Sequence, residues 1–422
     1  MQKHEKLMAS FHSFHLRRML RCYSVKPRAL CSLGVPRMLS TQQNLILDNI
    51  GKSMNHPMNN IPDSVYQKIG KNLHNRKNHP LNIIKTKIEL YFNSNPASLS
   101  GHPKFDIVDD LPPIASLKNN FDDLRIEEDH VSRKPTDTYY LNENEVLRTH
   151  TSAHQTTLLS QGRDAFLCCG DVYRRDEVDR THHPVFHQME GVRVWRRAQL
   201  AEEGLDPTKF VEHDLKSGLE GVARELFGDC KMRWNADYFP FTEPSFELEV
   251  LYQGDWLEVL GCGVIHPQVL RNAGRNRADD EIGWAFGLGL ERLAMILFNI
   301  PDIRLFWTDD DRFHSQFEKG DIVEFKPYSK YPPCLKDVSY WLPETKAPHQ
   351  NDLFEAIREV AGDMVEQVSL IDEFTHPKTG RHSQCFRITY RDMSRSLTNE
   401  EVDMLQNQVR TELVQKFGVE LR

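Results

Sequence analysis

The sequence predicts an α+β chain of two or three domains, and three observations carry that expectation. At 422 residues it is too long for one ordinary domain, and its 39% hydrophobic and 27% charged residues suffice for sizeable cores. β-rich segments dominate residues 165–265, interrupted by a polar helical stretch at 198–227, and a glycine-rich strand with a long apolar helix follows at 283–300. Beyond a charged, turn-like stretch, a smaller α+β unit occupies the rest. No internal repeat or low-complexity tract interrupts this order.

Residues 1–40 stand apart. Lys3, Lys6, Arg17, Arg18, Arg21, Lys26, Arg28 and Arg37 are basic, Glu5 is the only acid, and Phe11, Phe14, Leu16, Met19 and Leu20 can line one face of a helix. This is the composition of a mitochondrial transit peptide; a basic arm that touches RNA is the alternative. The full chain carries 53 basic and 61 acidic residues, net −8, and without residues 1–40 the balance is 45 to 60, net −15. Binding to RNA must therefore rest on a local patch. Eight cysteines form no C-x-x-C pair, and His182, His183 and His187 lack a completing ligand, so neither zinc nor a disulfide framework is expected. No run of eighteen apolar residues predicts a membrane span.

From Pro80 a helix is expected, with proline in its first turn and Leu81, Ile84, Ile88 and Tyr91 along one face. The Pro-, Asn- and Asp-rich residues 93–120 read as an irregular connection. Two strands, 166–176 and 185–195, flank a loop holding Thr181, His182 and His183. Strand alternation puts Phe186, Gln188 and Glu190 on one face: a ring that can stack on a base, beside an amide and a carboxylate that can hold an ammonium group. Arg174, at the end of the opposite strand, can fork onto a phosphate or carboxylate. The plainer alternative is a half-buried hairpin with a solvated polar face.

In Gly283–Leu297 the third position of a dinucleotide fingerprint is held by Arg292, which excludes that reading. An arginine in a helix's first turn opposes the macrodipole unless an anion binds there, so Arg292 reads as an anion ligand, or as half of a structural salt bridge. Phe239 and Phe241 share a strand face and can meet another ring edge-on, or simply pack in a core. Residues 309–326 read as a linker. In the last unit Arg381, Arg387 and Arg391 alternate with Phe386, Ile388 and Tyr390, and Lys378 and Arg395 lie nearby. One face of that strand can pack on helices while the other meets RNA, although a solvated strand face explains the same row.

These residues resemble a known family. Tyr173-Arg174-Arg175-Asp176 is similar to the second signature motif of class II aminoacyl-tRNA synthetases, Gly287-Leu-Gly-Leu-Glu-Arg292 to the third, and the Pro80 helix to the first. Arg148-Thr-His-Thr-Ser152, Thr181-His-His-Pro-Val-Phe-His-Gln-Met-Glu190 and Tyr238-Phe-Pro-Phe-Thr-Glu243 narrow the resemblance to the phenylalanyl enzymes. Phe325-Lys-Pro-Tyr-Ser-Lys-Tyr-Pro332 and Ser369-Leu-Ile-Asp-Glu-Phe-Thr375 resemble their single-chain mitochondrial form, and the likeness covers essentially everything after residue 44.

The resemblance implies an antiparallel class II sheet flanked by helices, then a ferredoxin-like α+β anticodon-binding domain. The boundaries expected are a transit peptide at 1–40, a catalytic domain at 41–308, the linker, and the anticodon domain at 327–422. It further implies a monomer of the mitochondrial matrix that joins phenylalanine to tRNA(Phe) through an adenylate, with ATP as substrate and Mg²⁺ as metal. His150, Ser152 and Gln155 match positions near the amino acid, with Ala153 and His154 between them. Gln188 and Glu190, flanking Met189, match the holders of its ammonium group, and Phe239, Phe241, Ala285, Phe286 and Gly287 the walls around its ring. Arg174 matches the ligand of the α-phosphate and substrate carboxylate, and Phe186 the ring on adenine. His182 and Arg292 match phosphate ligands, with Asp176, Thr181 and His183 in the same ATP-facing segment. Glu258, in an otherwise apolar strand, needs a partner, either ATP-bound Mg²⁺ or a nearby arginine. Lys378, Arg381, Arg387, Arg391 and Arg395 match the tRNA side. Two rivals stay open on the residues alone: a ligase of this class that loads something other than tRNA, and a catalytically dead RNA-binding relative.

Overall fold

The structure, a computed structural model, describes residues 55–94, 104–202, 204, 206–275, 280–328, 331–344 and 347–422. The transit-peptide expectation lies outside the described residues. Everything below belongs to one unit, Leu45–Arg422.

The strands are β1 (Asp106–Val108), β2 (Ile114–Ser116), β3 (Glu145–Leu147), β4 (Ala165–Tyr173), β5 (Val185–Arg196), β6 (Met232–Phe239), β7 (Thr242–Tyr252), β8 (Asp255–Ile265) and β9 (Glu281–Gly289). β2 and β3 form a small ribbon, and the other seven make one sheet in the order β1-β4-β5-β9-β8-β7-β6. Every pair in it is antiparallel except β1 on β4, which is the expected class II arrangement. β4 is buried along its whole length, so both sheet faces are covered there.

Helix α1 (Pro80–Ser94) begins at the expected proline and buries Leu81, Ile84 and Ile88. α3 (Pro207–Phe227) is capped by Asp206, whose side chain accepts from Lys209 N, and has proline in its first turn. Both helices pack on one face of the sheet, in a core with Trp284, Phe286 and Leu288. The opposite face is covered in part by Phe121, Leu124, Leu158 and Val269, which meet Val192 and Ala285. That second face carries the site. Between these helices in the chain lies the short α2 (Gln155–Ser160), and α4 (Leu290–Leu297) follows β9 directly.

Residues 309–326 do not form a free tether. Phe313, Phe317 and Phe325 are buried in the main core, with the rings of Phe313 and Phe317 5.1 Å apart and that of Phe298 5.3 Å from Phe317. The charges that suggest a linker are the outer surface of this segment, and they mask aromatic anchors four residues apart.

The last domain has the ferredoxin-like order β11-β12-β10-β13, from β10 (Cys334–Trp341), β11 (Val365–Thr375), β12 (His382–Tyr390) and β13 (Glu420–Leu421). α5 (Gln350–Ala361) and α6 (Asn399–Phe417) share a core with Phe386, Ile388 and Tyr390, as the alternation predicts. This domain docks on the loop between β4 and β5. Val178 of the loop is buried in the last domain's core, and its carbonyl accepts from Val368 N at 3.0 Å. Arg175 pairs with Asp352 at 2.9 Å, and Tyr139 donates to the buried Glu355 at 2.7 Å.

Candidate active site

Strand register builds the floor of the site. Glu190 of β5 lies opposite Gly287 of β9, which lies opposite Gly261 of β8; Gln188 lies opposite Gly289, and Ala285 opposite Val192 and Gly263. These residues therefore share one face. A Cβ placed on Gly287 or Gly289 would meet nothing within 4 Å, whereas one on Gly261 would lie 2.7 Å from the Phe239 ring. The floor is thus open beside Glu190 and roofed at β8. Phe239 and Phe241 stack at 5.9 Å and 17°, and Phe241 packs against the cluster that contains Ala285. They face each other across the turn from β6 to β7 rather than along one strand.

Alternation overturns two expectations. Phe286, between Ala285 and Gly287, points to the other face and stacks on Phe92 at 5.5 Å beneath the helices. Met189, between Gln188 and Glu190, is buried in that same core. Neither lines the site.

At one end of the floor is a buried carboxylate. Glu190 is 1% exposed, Gln155 Nε2 donates to its Oε1 at 2.8 Å, and among the described residues neither its Oε2 nor Gln155 Oε1 has a hydrogen-bond partner. Burial raises the Glu190 pKa to about 7, opposed by Ser152, Gln155 and Thr151. His150 is held neutral, its pKa lowered to about 3 by burial first and by the Arg174 charge second. Ala153 is buried beneath the turn that carries these groups, and His154 is engaged by Arg148 rather than turned to the floor.

The other end is cationic. Arg174 donates from Nε to the Thr149 carbonyl at 2.8 Å, its guanidinium lies 5.2 Å from the Phe186 ring centre, and it makes no ion pair among the described residues. Its pKa is lowered by burial, with Asp176 opposing. Arg292 stands exposed in the first turn of α4 and meets Glu258 at 3.3 Å. Glu258 is itself half-exposed rather than trapped in an apolar strand, so the nearby-arginine alternative is realised, but at the surface. The neighbouring Glu247 carboxyl has a raised pKa, from burial first and then from the Glu258 and Asp237 charges.

Glu291, which carried no expectation, joins the two halves. It is buried and accepts from His187 N at 2.8 Å and from His187 Nδ1 at 2.6 Å, so the start of α4 is tied to the strand bearing Phe186 and Gln188. An acid directly before Arg292 was the available signal, and its partner 104 residues away was not.

Other expected ligands lie elsewhere. His182 and Thr181 are at the rim, where both meet Asp179, His182 Nδ1 at 2.8 Å. His183 is buried in the domain junction, its ring 5.2 Å from Trp307 and its Nε2 3.6 Å from Asp363. Asp176 accepts from Glu177 N, and its backbone carbonyl accepts from Arg358. The arginine row is not one basic face. Arg387 pairs with Asp337 at 2.8 Å, Arg381 with Glu420 at 2.5 Å, Arg391 with Glu366 at 2.7 Å and Arg395 with Glu401 at 3.0 Å. Arg381 and Arg391 fall outside β12, one beyond each end, where strand alternation no longer aligns them. Lys378 is exposed near the tip of the β11–β12 hairpin.

Comparison with known proteins gives the same two domains. Residues 66–317 match the class II core domain (F) of tRNA synthetases, and residues 329–422 the ferredoxin-fold anticodon-binding domain. The chloroplastic/mitochondrial phenylalanine–tRNA ligase of Arabidopsis thaliana is 53% identical over 367 residues, covering 87% of this chain and 83% of the relative. The mitochondrial phenylalanine–tRNA ligases of Dictyostelium discoideum and Mus musculus are 48% and 47% identical, over 86% and 95% of this chain and 89% and 93% of theirs.

Proposed function

We propose, for a chain that belongs to the class II tRNA synthetase family, a phenylalanine–tRNA ligase that charges tRNA(Phe) at the expense of ATP in the mitochondrial matrix. The observation that carries the reading is an open glycine floor between a buried carboxylate oxygen without a hydrogen-bond partner and a guanidinium without an ion pair, both among the described residues. An amino acid carries the complementary charges: ammonium at Glu190, Gln155 and Gln188, carboxylate at Arg174. Its ring lies toward Phe239, Phe241 and Ala285.

ATP would stack its base on Phe186 and lay its phosphates between Arg174 and Arg292, with His182 at the rim. The phenylalanine carboxylate attacks the α-phosphorus, the bond to the β,γ-phosphates breaks, and pyrophosphate leaves. Arg174 holds the attacking carboxylate and the α-phosphoryl oxygens together, which supplies orientation and charge stabilisation. A terminal ribose hydroxyl of the tRNA then attacks the adenylate carbonyl, and AMP departs. Glu258, beside Arg292, and Glu247, which feels the Glu258 charge, would be the carboxylates to hold a divalent cation, and Mg²⁺ held there would neutralise phosphate charge. The domains read as a transit peptide at 1–40, a catalytic domain at 41–308 with its packed extension at 309–326, and an anticodon-binding domain at 327–422, acting as a monomer.

ATP–pyrophosphate exchange, run with each amino acid, tests the reading. Phenylalanine should drive it. Arg174→Ala and Arg292→Ala should each lose about 3 kcal/mol of transition-state stabilisation, on the order of a hundredfold or more in rate, with the fold intact. Exchange near the parent rate in either variant, or no response to phenylalanine, would sink the assignment.

A further inference from the structure

Arg148 is 1% exposed, the most buried cation among the described residues, and the reading of the site above gives it no ligand. Its donors are all directed inward. Nε donates to the Asp171 carbonyl at 2.6 Å and Nη2 to Asp171 Oδ1 at 2.5 Å. Nη1 faces the carbonyls of Leu111 and Pro112 at 3.2 and 3.4 Å and His154 Nε2 at 2.9 Å. Tyr173 Oη completes the set by donating to Asp171 Oδ2 at 2.5 Å. The guanidinium also lies across Gly170, where a Cβ would come 2.1 Å from Nη2, and Gly170 pairs directly with Gln188.

One planar group therefore joins β4, the 111–112 loop and the turn that leads to Ser152 and Gln155. Arginine has no acceptor, so His154 Nε2 must accept, which puts the imidazole proton on Nδ1 and keeps the ring neutral. The turn is then held at both ends: at its start by Arg148 itself, at its end by His154, immediately before Gln155.

We propose that Arg148 is a positioning residue for the amino-acid end of the site, setting the depth at which Ser152 and Gln155 meet Glu190 and so the affinity for the substrate's ammonium group. It acts through the turn and does not touch substrate. This rests on the reading that Glu190 and Gln155 receive that group.

A fold staple would weaken every ligand alike; a positioning residue weakens the ammonium contact. In Arg148→Lys, which keeps the charge but loses the planar fork, the KM for phenylalanine in pyrophosphate exchange should rise about tenfold or more, with the KM for ATP within about twofold. Inhibition by 3-phenylpropionate, which lacks the ammonium group, should also stay within about twofold of the parent. Tyr173→Phe keeps the ring and removes only the bond to Asp171, so it covers the case in which Arg148→Lys does not fold. Its KM for phenylalanine should rise about two- to fivefold, again alone. Equal losses for phenylalanine, ATP and 3-phenylpropionate, or no loss at all, overturn the proposal. Glu190→Gln tests the underlying reading separately: it should abolish the preference for phenylalanine over 3-phenylpropionate, and if it does not, the reading of Glu190 fails whatever Arg148 does.

Discussion

At the scale of single residues, the proposed amino-acid site is marked by a carboxylate held back from partners. Glu190 Oε2 is buried without a donor among the described residues, and burial lifts its carboxyl pKa to about 7. In the free enzyme a raised carboxyl pKa favours folding below the unfolded value of 4.5, and that contribution is lost as pH rises toward 7. Bound ammonium needs the ionised form, so kcat/KM for phenylalanine should fall about tenfold per pH unit below pH 7. Glu190→Gln should flatten that limb while raising thermal stability at pH 8; a limb that survives the substitution assigns it to another group. The proposed specificity wall is built from equally small features. Ala285 shares the face of Gly287 and is buried near Phe241. An apolar wall rejects an added hydroxyl only by about a hundredfold, and Ala285→Gly should erode that by making room beside the ring. An unchanged phenylalanine-to-tyrosine ratio in exchange would remove Ala285 from the wall.

At the scale of elements, two strands and one helix must stay in register for the cationic and anionic ends to face each other. β5 brings Phe186, Gln188 and Glu190, β9 brings the glycine floor, and α4 follows β9 without a loop. Glu291 ties that helix to β5 through both hydrogen bonds to His187. Glu291→Ala leaves two buried donors unpaired and should cost about 2–3 kcal/mol, read as a lower denaturant midpoint. Adenylate formation should fall with it, because Arg292 is the next residue. A midpoint equal to the parent's would show that the tie carries no strain-bearing role.

For the whole molecule, the last domain is seated on the loop between β4 and β5, and one member of the basic row expected to meet RNA, Arg391, lies at that junction instead. Within its own domain Arg391 pairs with Glu366, which also lies 3.7 Å from Arg304 of the catalytic domain, and Arg304 donates to the Asp363 and Arg391 backbone carbonyls at 2.7 and 3.0 Å. Arg391→Glu should therefore lower thermal stability and disturb both activities. Charge reversal of Lys378, Arg381 and Arg387 should raise the KM for tRNA in aminoacylation and leave pyrophosphate exchange unchanged. Equal loss of both activities in the triple variant, with the fold preserved, would remove these residues from the tRNA surface.

Much of this was legible in the sequence, because strands repeat every two residues and helices every 3.6. That period alone puts Gln188 and Glu190 on one face, buries Leu81, Ile84 and Ile88 of α1, and sets Phe386, Ile388 and Tyr390 against helices. Applied strictly, it also excludes Phe286 from the wall that holds Ala285 and Gly287. Turn-level order was legible too, since Pro80 opens its helix where a missing N–H costs nothing. Only the tertiary structure decided the long-range pairs. A charged residue reads as surface until its partner is known, and the partners of Glu291, Arg391 and the arginine at 148 lie across the sheet, in another segment or around a strand edge. The same holds for 309–326, whose phenylalanines look like linker residues until the core that receives them is built. Periodicity is a property of one segment and survives in isolation. An ion pair or an aromatic socket belongs to two segments at once, and it exists only after the chain has brought them together.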